Sequence, residues 1–364
     1  MTDSFELGPI RPPSEAYSLL IRATRNCPWN RCKFCHTYKG EKFQLRSVDE
    51  IKQDIDTARA IQDKIKESAG IPLNSSPNAA CYNVALFLSA DGESSFLQDA
   101  NSLIMRTGKL AEVIRYLKAT FPSIKRITSY GRTNTAAKKT LEELTELHQA
   151  GLSRLHIGLE SGYDPLLEYM DKGVTAAEHI AGGRKVVESG ISLSEYVILG
   201  LGGRDLWRQH ATETARVLNK IDPGFIRVRT LSINNRMPLH KEIEAGNFIR
   251  ATDEQILEEE RLLIERLECH SNYVSDHITN LLQEIEGKLP EDKEKMLAAI
   301  DRFRLLPDEE RLNFRVGRRL GIYTELGDLC NPPKREVVEQ VVHRLKQNGN
   351  GLDESLYELM GRYI

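Results

Sequence analysis

The chain has 364 residues, of which 40% are hydrophobic and 28% charged, and its formal net charge is −3. This slightly acidic balance provides no basic face for phosphate groups, which argues against nucleic acid as a partner. No apolar stretch approaches the ~20 residues that cross a bilayer, so we expect a cytoplasmic protein that does not associate with membranes.

Short β-prone runs alternate with helix-like segments over most of the chain. We expect strands at Tyr17–Arg22, Val84–Ser89, Arg126–Tyr130, Leu155–Leu159, Tyr196–Leu201 and Ile226–Leu231. We expect helices at Ser47–Ser68, Lys109–Thr120, Ala136–Ala150, Thr175–Ser189 and Trp207–Lys220. Because right-handed crossovers curl such an alternation, the pattern predicts an α/β fold, a partial (β/α)6 TIM-like barrel with a helical C-terminal extension. The active site of such a barrel lies at the carboxyl ends of its strands.

This interpretation divides the chain into an N-terminal extension (1–15), the partial barrel (16–245) and a helical C-terminal region (246–364). No further strand is predicted after residue 246. Charged helical stretches are expected there at Asp253–Cys269, Glu291–Phe303, Pro307–Leu320 and Pro333–Gln347. The segment Gly70–Asn83 is rich in Pro, Ser and Asn and predicts a loop. We expect this loop and the C-terminal region to recognise the substrate.

Three cysteines, Cys27, Cys32 and Cys35, follow the first predicted strand in a C-x4-C-x2-C spacing. Several thiolates on one tightly turned loop are what an iron–sulfur cluster needs. Three cysteines bind only three of the four irons of a [4Fe–4S] cluster, so the fourth iron is open to another ligand. Zinc is the alternative, because Cys32–Cys35 is also half of a zinc knuckle and His36 can supply a ligand. No second C-x2-C half is visible, which favours the cluster.

Polar and glycine-rich segments follow the other predicted strands. They are Asp91-Gly92-Glu93 after the second strand, Ser129 to Arg132 after the third, Glu160-Ser161-Gly162 after the fourth and Gly200-Leu201-Gly202-Gly203 after the fifth. Each also has a structural explanation. Asp91-Gly92 is a good turn signal, Glu160 is equally suited to a salt bridge, and glycine-rich strand ends are common. Their occurrence at successive strand ends favours one shared site.

A cysteine loop after the first strand of a six-unit βα barrel resembles the radical S-adenosylmethionine (radical SAM) superfamily. Leu155–Lys172, followed by Gly173, resembles especially the coproporphyrinogen-oxidase/Elongator-like branch. The resemblance covers about residues 16–245. The superfamily's usual spacing is C-x3-C-x2-C, and this chain has one more residue between its first two cysteines.

The resemblance implies a radical enzyme whose two cofactors are a [4Fe–4S] cluster and S-adenosylmethionine (SAM). SAM would chelate the open iron, and one electron, from a donor such as flavodoxin or ferredoxin, would cleave it to methionine and a 5′-deoxyadenosyl radical. That radical would abstract hydrogen from a small-molecule substrate, a small or mid-sized metabolite. An open cluster of this kind is oxygen-sensitive.

The resemblance also implies roles for individual residues. Cys27, Cys32 and Cys35 would bind the cluster, and Phe34 would shield it or the adenine. Glu160, assisted by Ser161, would accept the ribose hydroxyls of SAM. The remaining expected SAM contacts are Asp91, Gly92 and Glu93 at the ammonium group, Gly200 and Gly202 along the adenine or methionyl edge, and Ser129, Arg132 and Arg229 at a carboxylate, the adenine or the substrate.

Two absences narrow the reaction. The sequence has no further cysteine group for an auxiliary cluster, which disfavours sulfur insertion, and we expect no cobalamin-binding domain before the barrel, which disfavours B12-dependent methylation. The remaining reaction classes all begin with hydrogen abstraction. They lead to rearrangement, dehydrogenation, decarboxylation or epimerisation, or to transfer of a group from SAM. The alternative is an iron–sulfur or haem carrier that derives from the same fold and performs no radical chemistry.

Overall fold

The computed structural model describes residues 4–67, 78–347 and 352–361. The chain forms two compact units. Within the described residues, the first unit comprises Met1–Asn30, Thr37–Gly158 and Ala177–Ser194, and the second comprises Arg31–His36, Leu159–Ala176 and Glu195–Ile364.

The strands are short and mostly apolar. They are β1 (Leu19–Arg22), β2 (Thr24–Arg25), β3 (Gln44–Leu45), β4 (Ser94–Gln98), β5 (Arg126–Gly131), β6 (Leu152–Glu160), β7 (Ser192–Leu199), β8 (Phe225–Thr230), β9 (Asn272–Val274) and β10 (Gly287–Lys288).

The helices between and after the strands are amphipathic for the most part. They are α1 (Val48–Glu67), α2 (Ala79–Ser89), α3 (Thr107–Thr120), α4 (Thr133–Lys138), α5 (Leu141–Ala150), α6 (Asp164–Tyr169), α7 (Ala176–Glu188), α8 (Gly203–Ile221), α9 (Pro238–Glu244), α10 (Asp253–Arg266), α11 (Lys293–Arg304), α12 (Asp308–Arg319), α13 (Pro332–Gln347) and α14 (Leu352–Met360). In the described ranges, no helix is long and apolar enough to cross a membrane.

In the first unit the sheet runs in the order β1-β4-β5-β6-β7. Strand β1 pairs with β4, β4 with β5 and β5 with β6, and all three pairs are parallel. Parallel strands must be covered by helices, and α1, α3 and α5 pack side by side as that cover. The short strands β2 and β3 form a separate antiparallel pair, and the cysteine loop lies between them in sequence.

In the second unit the order is β6-β7-β8-β9-β10, with β8 and β9 parallel and β10 antiparallel to β9. Helices α8 and α10 pack against each other. A buried apolar cluster fills the region near the ends of β7 and β8, and we call it the strand-end cluster. It comprises Leu166, Met170, Leu201, Leu231, Ile233, Met237, Leu239 and Phe248.

The prediction of an α/β fold built from mostly parallel strands, as in a partial TIM-like barrel, is confirmed. The prediction that Val84–Ser89 is a strand is wrong, because this run belongs to helix α2. The run is apolar at almost every position, so its pattern does not separate a strand from a buried helix. The side chain of Asn78 accepts a hydrogen bond from the backbone N–H of Cys81 at 2.9 Å and caps the helix. The second long strand is β4.

Three further expectations need correction. Residues 79–83 of the expected loop Gly70–Asn83 belong to α2, and residues 70–77 lie outside the described residues. Helix Ala136–Ala150 is split into α4 and α5, because Thr140 and Glu143 form a capping box that starts a new helix. Strands β9 and β10 do follow residue 246, where none was expected; they are three and two residues long, too short to give a periodic signal.

Candidate functional site

The first part of the cysteine loop is anchored by Asp99, which directly follows β4 and is fully buried. Its Oδ2 accepts hydrogen bonds from the backbone N–H of Asn26 at 3.0 Å and from the guanidinium of Arg22 at 2.7 and 2.9 Å. Its Oδ1 accepts from the hydroxyl of Tyr38. Burial and the carboxylate of Asp99 both raise the pKa of Tyr38, so the phenol keeps its proton. One carboxylate therefore binds the residue before Cys27 and a residue after Cys35.

Two asparagines turn the chain around Cys27. Asn26 and Asn30 have φ angles of 67° and 50°, in the left-handed region that asparagine tolerates better than most residues. The backbone N–H of Asn30 donates to Sγ of Cys27 at 3.4 Å. The two left-handed residues and this hydrogen bond fix the position of Cys27 in the loop.

The second part of the loop is held by Lys33 in the second unit. Its backbone N–H donates to the carbonyl of Met170 at 3.0 Å, and its carbonyl accepts from the N–H of Leu239 at 3.0 Å. Its ammonium lies 2.9 Å from a carboxylate oxygen of Glu242. These bonds fix the backbone between Cys32 and Cys35. Cys32 is buried, while Cys27 and Cys35 are half-buried.

Phe34 packs against the strand-end cluster, a position that is compatible with the expected shielding role. The ammonium of Lys172 lies 5.8 Å from the centre of its ring. Phe34 therefore ties the cysteine loop to the apolar side chains near the ends of β7 and β8.

The donor set of this loop fits an iron–sulfur cluster, because its three candidate ligands are thiols on a segment whose backbone is fixed at Asn26 and Lys33. Within residues 4–67, 78–347 and 352–361, no three His, Cys, Asp or Glu side chains converge to hold a single metal ion. A cubane cluster presents a separate iron to each thiolate.

Glu160, at the end of β6, has a φ angle of 63°. Its carboxylate lies 2.9 Å from the ammonium of Lys172, and their side chains are only 13% and 10% exposed. The salt bridge that the sequence left open as an explanation for Glu160 is therefore present. A ribose that binds here would share the carboxylate with Lys172.

Glu195 on β7 is fully buried. Among the described residues, neither of its carboxyl oxygens has a hydrogen-bond partner. Burial raises its pKa well above the ordinary value, the charge of Lys172 lowers it and that of Glu160 raises it further. Burial therefore favours the protonated form of Glu195 in the folded protein.

Ser161 is fully buried, and its hydroxyl is engaged inside the protein. It accepts from the backbone N–H of Tyr163 at 3.1 Å and lies 2.9 Å from Nδ1 of His210. Nε2 of His210 lies 3.0 Å from the carbonyl oxygen of Ile198. Burial lowers the pKa of His210 to about 4, so the ring is neutral. Ser161 thus fixes the turn after Glu160.

The glycines after β7 face protein atoms. The N–H of Gly200, whose φ angle is 80°, donates to the carboxylate of Glu259 at 2.9 Å. A Cβ on Gly200 would lie 3.3 Å from the side chain of Ile256, and one on Gly202 would lie 2.9 Å from the backbone of Leu206. The absence of a side chain at Gly202 is therefore needed for the close packing of the turn on α8.

The other expected contacts are dispersed along the strand ends. The hydroxyl of Ser129 donates to the carbonyl of Leu97 at 3.0 Å, inside the sheet of the first unit. The guanidinium of Arg132 lies 5.4 Å from the ring of Trp29 in the cysteine loop. The guanidinium of Arg229 lies 4.5 Å from the ring of Tyr196 on β7, in the second unit.

The expected position of Asp91, Gly92 and Glu93 at the carboxyl end of a strand is wrong. These residues lie between α2 and β4, at the amino end of β4, because the strand expected before them is a helix. The N–H of Gly92 donates to the carbonyl of Phe87 at 3.0 Å and closes that helix. The side chain of Glu93 pairs with Lys125 at the surface. The carboxyl end of β4 carries Asp99 instead.

Sequence reasoning missed Asp99, Lys172 and Glu195. Asp99 comes shortly after the apolar residues Phe96 and Leu97. This short run was not recognised as a strand because the longer apolar run Val84–Ser89 before it was interpreted as one. Lys172 lies within the segment that carried the family resemblance, but its partner in the fold was not evident. Glu195 looked like an ordinary charged residue next to a strand. Two further histidines, for which the sequence indicates no partner, are engaged: His179 lies 2.8 Å from Thr133 Oγ1 and His36 lies 3.4 Å from Asn234 Nδ2.

A sequence model of the radical SAM superfamily matches residues 21–214, more than half of the chain, and this range includes the cysteine loop. The chain belongs to the radical SAM superfamily. Members of this superfamily are enzymes that use a [4Fe–4S] cluster and SAM and take an electron from a reductant. No curated protein sequence matches this chain significantly.

Several solved structures are similar in fold. Elp3 from the archaeon Methanocaldococcus infernus, lacking residues 1–46, has a TM-score of 0.46 and 10% identity over 72% of this chain and 62% of its own. Coproporphyrinogen III oxidase (HemN) from Escherichia coli has a TM-score of 0.43 and 15% identity over 64% of this chain and 48% of its own. The chain thus spans less than two thirds of either protein. Methylornithine synthase (PylB) has a TM-score of 0.43 and 14% identity over 80% of this chain and 82% of its own.

Proposed function

We propose that this radical SAM enzyme binds a [4Fe–4S] cluster through Cys27, Cys32 and Cys35 and abstracts hydrogen from a small or mid-sized metabolite. The observation that carries the proposal is the family match over residues 21–214, which contains all three cysteines in one loop. When bound, the reduced cluster supplies the electron that cleaves SAM to methionine and a 5′-deoxyadenosyl radical. The family match favours this enzyme over a carrier that performs no radical chemistry.

The residues of the chain hold the cofactors in place. Asp99, through Asn26, and Lys33, through its backbone, hold the two parts of the cysteine loop. Phe34 supplies apolar surface beside the loop and excludes water from it. Glu160 accepts hydrogen bonds from the ribose hydroxyls of SAM, and its ion pair with Lys172 orients the carboxylate.

The remaining contacts are proposed from their positions at strand ends. Gly200 and Gly202 follow β7, Arg229 lies near the end of β8, and Arg132 follows β5. Ser161 fixes the turn after Glu160, and Ser129 bonds β5 to β4 near the strand end that Arg132 follows. We assign the chemistry to residues 16–245 and substrate recognition to residues 246–364.

The test is anaerobic reconstitution with iron and sulfide, reduction with dithionite and addition of SAM, followed by chromatography for 5′-deoxyadenosine. The wild-type protein should bind iron and sulfide, turn brown and release 5′-deoxyadenosine. Cys32→Ala should abolish both the chromophore and SAM cleavage. Cys330→Ala, a change of the same type at an exposed cysteine outside the matched range, should leave both unchanged. A colourless protein that contains zinc would overturn the proposal.

A further inference from the structure

A cavity of about 350 Å3 lies in the second unit, near the ends of β7 and β8. Gly200 and Thr230 line it from the strand ends, and Leu356 and Met360 line it from α14. The volume is in the range of small-molecule sites, which are mostly apolar and carry a few convergent polar groups. Neither the family match nor the solved structures assign a ligand to this cavity.

The cavity shares its walls with the packing of the cysteine loop. Leu231, Ile233 and Phe248 line it, and all three belong to the strand-end cluster against which Phe34 packs. The cavity and Phe34, one of the two residues between Cys32 and Cys35, therefore adjoin the same apolar cluster. A ligand in the cavity would therefore lie next to the part of the second unit that carries two of the candidate cluster ligands.

Two arginines of the cavity are bound to carboxylates at the start of α14. Arg315 pairs with Asp353, and Arg250 pairs with Glu354. The guanidinium of Arg250 also lies 4.0 Å from the ring centre of Tyr357, whose hydroxyl accepts a hydrogen bond from the backbone N–H of Ile233. Helix α14 thus covers the cavity with apolar side chains and closes it with two carboxylate–arginine pairs.

The two sides of these ion pairs differ in exposure. The side chain of Arg315 is 9% exposed, and Asp253 holds it in place at 3.0 Å. The side chains of Asp353 and Glu354 are 59% and 55% exposed. Ion pairs whose carboxylate is exposed to solvent contribute little to the free energy of folding. Asp353 or Glu354 can therefore dissociate from its arginine at a small cost in free energy. The carboxylate of a ligand inside the cavity would bind the same guanidinium groups with less competition from water.

We propose that this cavity binds the substrate and that the substrate is an apolar carboxylic acid. Its hydrocarbon part contacts Leu231, Ile233 and Phe248, and its carboxylate replaces Asp353 or Glu354 on Arg315 or Arg250. Helix α14 must release at least one of these pairs when the ligand binds. The statement that this ligand is the substrate rests on the proposed function.

The test measures binding to the cluster-loaded protein by calorimetry, without SAM or reductant. The probes are octanoate and 1-octanol, which share a hydrocarbon chain and differ in charge. Octanoate should bind about tenfold more tightly, the order expected for a charge-assisted hydrogen bond. Arg250→Met should remove most of this preference. Because Asp353→Asn with Glu354→Gln removes the α14 carboxylates from both arginines, the double variant should bind octanoate several-fold more tightly than the wild type.

The control is Glu339→Gln on α13, which removes a similar exposed carboxylate, 54% exposed and 2.7 Å from Arg335, outside the cavity. It should leave octanoate binding unchanged. Equal affinity for octanoate and octanol, or no gain in the double variant, would overturn the inference. The double variant changes only exposed side chains, so the test does not depend on whether Arg250→Met folds. Binding is measured apart from 5′-deoxyadenosine formation, so failure of the cavity and failure of the radical chemistry are seen separately.

Discussion

The carboxylate of Asp99, at the end of β4, accepts two hydrogen bonds from the guanidinium of Arg22, at the end of β1, at 2.9 and 2.7 Å. The same oxygen accepts the backbone N–H of Asn26, where the cysteine loop begins. The ends of two neighbouring parallel strands are thereby joined to the loop through one buried charge. This relationship fixes the point at which the cysteine loop begins.

Asp99→Asn should therefore impair both stability and cluster assembly. Removing one partner of a buried ion pair usually costs about 3–5 kcal/mol, and we expect about 2–3 kcal/mol because Arg22 keeps its pair with Glu6. Urea unfolding measures the loss, and iron bound after anaerobic reconstitution should fall.

Glu93→Gln is the matched control, since Glu93 lies at the other end of the same strand in a surface pair with Lys125. It should change the free energy of unfolding by less than about 0.5 kcal/mol and leave the iron content unchanged. Equal effects of the two variants would contradict the anchoring role of Asp99.

Glu160→Ala should weaken SAM binding and preserve the cluster. Loss of a charge-assisted hydrogen-bond pair to the ribose is expected to reduce the binding free energy by about 1–3 kcal/mol. Equilibrium binding of SAM to the reconstituted, unreduced protein measures this change. Glu168→Gln, on the exposed side of α6, should bind SAM as the wild type does. An unchanged SAM affinity in Glu160→Ala would remove Glu160 from the ribose site.

Glu195→Gln should alter how stability depends on pH. The pKa of Glu195 is raised well above 4.5 in the folded protein, so above that pH the unfolded chain releases a proton that the folded protein retains. The free energy of unfolding therefore falls as pH rises, by up to about 1.4 kcal/mol per pH unit for this group, until the folded carboxyl ionises. The glutamine amide does not ionise, so the variant lacks this contribution to the pH dependence of stability.

Thermal melting from about pH 5 to about pH 8 measures the difference. The melting temperature of Glu195→Gln should rise relative to the wild type as pH increases. Glu188→Gln, which replaces a 56% exposed carboxylate on α7, should keep the wild-type pH dependence. Parallel curves for Glu195→Gln and the wild type would show that Glu195 is already ionised in the folded protein.

Gly162→Ala should be strongly destabilising, because a Cβ there would lie 2.4 Å from the carbonyl oxygen of Glu213 in α8. Forcing extra atoms into a packed interior typically costs about 1–3 kcal/mol. Gly108→Ala, in α3, meets no atom within 4 Å and should instead stabilise the helix by about 0.5–1 kcal/mol. Urea unfolding distinguishes the two, and equal effects would mean that the turn after β6 moves freely away from α8.

The sequence alone predicts the superfamily, the cofactors and the α/β fold class, because each of these predictions depends on local signals. The cysteine spacing is a property of nine consecutive residues, and the βα alternation repeats often enough to tolerate one error. The error at Val84–Ser89 came from a run whose apolar residues are buried on a helix, where periodicity carries little information. It placed the expected SAM contacts on Asp91-Gly92-Glu93, which lie at the amino end of β4.

What the sequence by itself determined is the set of thiols on one loop and the segments that carry them. Only the tertiary structure decided which charges meet: Asp99 with Arg22, Lys172 with Glu160, and Arg315 and Arg250 with α14. These partners are 12 to 104 residues apart in the chain. Side chains that distant in sequence are brought together by the packing of strands and helices, so no local pattern records their pairing.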